Sequence, residues 1–116
     1  EDPWQTVSAS AIAYDTGWNV PHALEEEEIQ QVIGRFVEAA KRAERAGFDF
    51  IELHAAHGYL IFQFLSPLSN QRTDRWGGSL ENRMRFAVEI ARAVKKAVPN
   101  LTLGARLSVK EWVDGG

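Results

Sequence analysis

The chain has 116 residues, 45% of them hydrophobic and 25% charged, with a formal charge of −3; that suffices for one small domain or part of a larger one. It shows no basic stripe of the kind that binds nucleic acid, and no apolar run nears the ~20 residues of a membrane helix. It has no cysteine, which rules out disulfides, thiolate metal sites and cysteine nucleophiles.

Residues 1–23 hold Trp4, Gly17, Trp18 and Pro21 among short apolar runs such as Ala9-Ser10-Ala11-Ile12-Ala13-Tyr14, and read as irregular or hairpin structure. Residues 24–46 read as a helix, because Ile29, Val32, Ile33, Phe36, Val37, Ala40 and Ala43 recur at the helical period. Glu25 to Glu28 load its first turn with negative charge and Lys41, Arg42 and Arg45 its last, both complementing the macrodipole. The acidic run is expected to be a solvated helix start. Gly47 is a natural cap at the far end. A strand is expected over about 48–54, around Phe48, Phe50 and Ile51.

The segment 58–79 is rich in Ser, Asn, Pro, Arg and Gly. It is longer than the usual strand-to-helix connection, and such loops often carry function. A second helix is expected over 80–97, with Leu80, Met84, Ala87, Ile90, Ala91 and Val94 as its apolar stripe, Ser79 as N-cap and Pro99 as its stop. A second strand over 101–108 alternates Leu101, Leu103, Ala105 and Leu107 with Thr102, Gly104, Arg106 and Ser108. Helix, strand, loop, helix, strand is the order of an α/β fold with parallel strands. Two such strands do not make a stable sheet, because parallel sheets are covered on both faces. A (β/α)8 barrel takes ~250 residues, so the chain reads as a slice of one, about two βα units within 24–116.

The chemistry concentrates where the first strand runs out, in His54-Ala55-Ala56-His57-Gly58-Tyr59. Three readings of the histidine pair stand. It could ligate a metal, although zinc needs a third ligand and Glu52 is the nearest carboxylate. It could be satisfied structurally, in the core or the loop. It could donate two hydrogen bonds to one substrate oxygen and stabilise charge developing there. Tyr59 is either packed under the loop or a proton donor, since a phenol is protonated at neutral pH. Arg106 interrupts an apolar strand, which is costly unless it is paired or meets an anion. Gly77-Gly78 before a helix hints at phosphate binding, but matches no dinucleotide fingerprint or P-loop. Ion pairs fixing the loop among Arg72, Asp74, Arg75, Glu81, Arg83 and Arg85 are the better reading.

The stretch Ala46-Gly47-Phe48-Asp49-Phe50-Ile51-Glu52-Leu53-His54-Ala55-Ala56-His57-Gly58-Tyr59-Leu60 closely resembles the old yellow enzyme family. So do Phe64-Leu65-Ser66-Pro67, Ser69-Asn70-Gln71-Arg72-Thr73-Asp74, Gly77-Gly78-Ser79 and Glu81-Asn82-Arg83. These are FMN-dependent NAD(P)H oxidoreductases, or ene-reductases. The resemblance runs from about residue 24 to the end, with a looser likeness at Ser10-Ala11-Ile12. It implies a (β/α)8 TIM barrel of which this chain, 1–116, is a partial domain holding about the fourth and fifth strands.

By resemblance, His54 and His57 match the pair that holds the substrate's carbonyl or nitro oxygen, and Tyr59 the proton donor to its α-carbon. Arg106 matches the arginine at the flavin's pyrimidine edge. Many members carry Asn at the second histidine; His-Ala-Ala-His looks more like the bacterial xenobiotic-reductase and thermophilic-like branch. Trp76 stands where Tyr is usual, a change expected to be tolerated. The implied cofactors are FMN with NAD(P)H as reductant, and the implied reaction is reduction of activated C=C bonds such as those of enones. The implied partners are a small-molecule substrate and a second copy or complementing barrel fragment, with no metal, nucleic acid or membrane. Alternatives from other classes are a non-catalytic, self-associating barrel fragment and a histidine-based metal hydrolase. The chain starts at Glu1, so targeting is not read from that end; a cytoplasmic location is expected, since the lack of cysteine fits a reducing compartment. Taken alone, the chain is expected to bind FMN weakly and turn over little.

Overall fold

Glu25 and Glu28 close a capping box at the start of the longest helix: the Glu25 backbone N–H donates to Glu28 Oε2 at 2.8 Å, and the Glu25 side chain accepts in return. In the computed structural model, which describes residues 4–116, this helix is α1 (Glu26–Arg45). It follows two short strands, β1 (Val7–Ser8) and β2 (His22–Ala23), and precedes β3 (Phe50–Ala55), α2 (Leu60–Leu65), α3 (Leu80–Ala97) and β4 (Thr102–Leu107). α1 ends in a Schellman motif. Phe48 N–H reaches Ala43 O at 3.2 Å and Gly47 N–H reaches Glu44 O at 3.0 Å, while Gly47 takes φ +87°. α3 starts where expected, with Ser79 Oγ accepting from Asn82 N–H at 3.2 Å.

β3 and β4 pair in parallel, from Phe50↔Thr102 to Ala55↔Leu107. The period of two sorts β3 into two faces. Leu53 and Ala55 are buried, with Ile51 partly buried beside them, against the layer of α1, α2 and α3; Phe50, Glu52 and His54 are exposed on the other face. The core runs through Ile29, Ile33, Phe64, Phe86, Ile90 and Val94. Phe64 and Phe86 stack with centroids 4.3 Å apart, and Trp76 meets Phe86 edge-on at 6.3 Å.

One expectation needs correction and two need additions. Residues 4–23 are largely irregular, one of the two readings given, and add a two-residue parallel pairing, Val7↔His22 and Ser8↔Ala23, where the other reading had a hairpin; the first three residues lie outside those described. The segment 58–79 contains a short helix, α2, that its composition concealed. The acidic start of α1 is more than a solvated face. Glu28 Oε2 takes His22 Nε2 at 2.7 Å, and Glu26 Oε2 accepts the indole N–H of Trp76. Trp76 itself is fully buried, so the larger ring is accommodated in the core.

Candidate functional site

The carboxyl end of β3 does not run on as strand. Ala55 and Ala56 are buried, and then His57 and Gly58 both take left-handed conformations, φ +57° and φ +77°. This reverses the chain, and Tyr59 becomes the N-cap of α2 with extended φ and ψ. The turn brings three rings together. His54 and His57 lie with centroids 5.2 Å apart at 63°, and His54 and Tyr59 5.1 Å apart at 50°. All three are exposed, and Tyr59 keeps 62% of its surface.

Arg106 is the register partner of His54 on the neighbouring strand, so its side chain leaves the same face of the sheet. Its Nε donates to Glu52 Oε1 at 2.8 Å. The ion-pair reading of Arg106 is therefore realised, but with the arginine side chain 58% exposed it contributes little to stability. Among the described residues the terminal guanidinium nitrogens have no hydrogen-bond partner, and they are available to a ligand.

The turn is held from two directions. Gln63 Nε2 donates to Gly58 O at 2.7 Å, and His57 N–H donates to Ser108 Oγ at 3.1 Å, just past the last rung of the β3–β4 ladder. Sequence reasoning placed Ser108 only by strand alternation and passed over Gln63; Glu52 entered only as a metal ligand. The partners of these side chains depend on the register and on α2, and neither is visible as a local pattern.

The long loop is bound internally. Asn70, 4% exposed, donates through Nδ2 to Phe64 O at 2.7 Å and Trp76 O at 2.8 Å. Arg72 Nη1 binds the carbonyls of Ala9 and Leu24 at 2.8 and 2.6 Å while its Nη2 pairs with Asp74 at 2.6 Å. Arg83 and Arg85 likewise bind backbone carbonyls, those of Leu65 and Gly78 and of Arg75. A Cβ at Gly77 would strike Arg72 and Asn70 at 2.6 Å, and Gly78 sits at φ +84°. Both glycines therefore serve the turn, and the phosphate reading of this pair finds no support.

What the β3 edge can do follows from its donor set. Two imidazoles, a phenol and a guanidinium converge on one exposed face, and the one carboxylate among them, Glu52, is occupied by Arg106. Such a set suits an electron-rich oxygen or a planar anionic ligand rather than a cation. Among the described residues no group of three or more His, Asp or Glu is placed to hold a metal, and no helix is long and apolar enough to cross a membrane.

Comparison with known proteins agrees in sequence and in structure. The model of the NADH:flavin oxidoreductase / NADH oxidase family matches residues 2–116. An NADH:flavin oxidoreductase of Gibberella zeae is 51% identical over 114 residues, covering 97% of this chain and 28% of the relative. An NADPH dehydrogenase of Clostridium acetobutylicum is 55% identical over 95 residues, covering 82% and 28%. The solved structure of morphinone reductase in complex with tetrahydroNAD superposes with a TM-score of 0.84 at 38% identity, over 90% of this chain and 33% of that one. The chain thus spans about a third or less of the length of these proteins.

Proposed function

Since the chain belongs to the NADH:flavin oxidoreductase / NADH oxidase family, we propose that it forms the substrate-facing part of an FMN-dependent NAD(P)H oxidoreductase that reduces activated C=C bonds. The observation that carries this reading is the convergence of His54, His57 and Tyr59 within about one ring diameter at the carboxyl edge of a parallel strand pair, where barrel enzymes place their chemistry.

The donor set fits the family's cofactor. Arg106 would meet the flavin's electron-rich pyrimidine edge with its unpartnered terminal nitrogens, steadied from behind by Glu52. Bound FMN would supply the redox chemistry, the hydride that originates from NAD(P)H. The chain's own residues do the rest. His54 and His57 donate hydrogen bonds to the substrate's carbonyl oxygen and stabilise the negative charge that grows there as hydride arrives. The Tyr59 hydroxyl gives its proton to the α-carbon, which completes addition of H2 across the double bond. Nothing in this division of labour requires a metal.

The test is reduction of 2-cyclohexenone by NADPH or NADH in the full-length flavoprotein carrying this segment. Tyr59→Phe should lower the rate of enone reduction by roughly 10²–10⁴-fold, the range of a positioned general acid. It should leave reduction of the flavin by NAD(P)H near its original rate, because that step needs no proton from Tyr59. Equal loss in both half-reactions would remove Tyr59 from the donor role, and a colourless protein inert toward enones would remove the assignment.

A further inference from the structure

His57 is the least self-sufficient member of the site. It is not glycine, yet it sits at φ +57° and is followed by a second left-handed residue, Gly58. Such a backbone persists only where its surroundings determine it. Within the turn, the Tyr59 N–H to Ala56 O bond is long, at 3.2 Å. Gln63 secures the carbonyl of Gly58 from α2. Among the described residues, the restraint on His57 itself comes from the other strand, where Ser108 Oγ accepts the His57 N–H across 51 residues of sequence.

We infer that Ser108 is a positioning residue: its hydroxyl fixes the His57 backbone and so sets where the imidazole meets the substrate's oxygen. The inference rests on the reductase reading above. It follows from what replaces the bond when the hydroxyl is removed. His57 is exposed, so water can take over its N–H at little cost to folding. Water does not hold the direction of the turn. Loss of the hydroxyl should therefore loosen the aim of His57 while leaving the fold intact, and small errors of aim are expensive for paired donors.

The experiment uses the full-length flavoprotein with 2-cyclohexenone as substrate. Ser108→Ala should lower kcat/KM for the enone at least fivefold, mainly through KM, with the FMN content and melting temperature of the unaltered holoenzyme. Ser108→Thr, which keeps the hydroxyl, should restore kcat/KM to within about twofold. In a His57→Ala background the Ser108→Ala change should cost less than twofold, because the group it positions is gone. The role is overturned if Ser108→Ala matches the unaltered enzyme, or if its loss is undiminished when His57 is absent. It is also overturned if both Ser108→Ala and Ser108→Cys shed flavin and melting temperature along with activity, since that is a folding defect. An unaltered enzyme that reduces enones alongside an indifferent Ser108→Ala sinks this inference alone. An unaltered enzyme inert toward enones sinks the reductase reading with it.

Discussion

A left-handed backbone at residue 57 limits what that position can hold. Histidine, asparagine and aspartate visit this region several times more often than other side chains, and β-branched residues scarcely at all. Asparagine is therefore a residue this backbone also accommodates. His57→Asn is expected to leave stability within about 0.5 kcal/mol and to keep part of the enone activity. His57→Val should remove that activity and cost roughly 1–3 kcal/mol, the range for a residue forced into a sparsely populated conformation. Thermal unfolding of the flavoprotein distinguishes them, and equal stability of the two variants would show that the turn relaxes freely. The backbone state was not legible in His54-Ala55-Ala56-His57. Spacing alone left metal ligation, structural burial and paired donation open; the structure adds that both rings are exposed, with centroids 5.2 Å apart.

At the scale of elements, legibility followed the source of each element's stability. α1 and α3 carry their own periodic stripes and caps, and both were read to within two residues of Glu26–Arg45 and Leu80–Ala97. α2 escaped because Leu60-Ile61-Phe62-Gln63-Phe64-Leu65 is a short apolar run, which periodicity does not assign to helix or strand. β1 and β2 escaped because a distant residue helps to join them: Arg72 binds the carbonyls of Ala9 and Leu24, the residues that directly follow the two strands.

That same arginine bears on acid sensitivity. Its hydrogen bonds hold the Asp74 carboxyl below the ordinary carboxylate range, helped by the backbone N–H of Trp76. The Trp76 indole does the same to Glu26. A carboxyl whose folded pKa is lowered contributes stability that is present above its unfolded pKa, about 3.9 for aspartate. That contribution is lost as pH falls through the folded value. The melting temperature should therefore drop as pH falls below about 4, and Asp74→Asn should flatten that acid limb while lowering stability at neutral pH. A variant with the unaltered pH profile would show that the pair does not couple to folding.

The whole molecule carries more surface than its mass warrants. Its accessible area is 7894 Å², against roughly 6,300 Å² expected for a compact monomer of this size. Its radius of gyration is 14.9 Å, against about 13.4 Å. Part of the exposed apolar surface lies where a barrel would continue. Phe50 (51% exposed) lies on the open sheet face, Leu107 (54%) ends β4, and β3 and β4 each have one strand neighbour among the described residues. The difference, roughly 1,500 Å², is about twice what one partner buries in a standard protein–protein interface. An open parallel pair with one bare face has every reason to find a second copy. The 116-residue chain alone, purified with excess FMN, should emerge from gel filtration larger than a monomer by light scattering. It should be without yellow colour, because a single pair of strands encloses a planar ligand on one side alone. A yellow monomer able to oxidise NADPH would show instead that two βα units suffice to hold the flavin, and that the bare face is a finished surface.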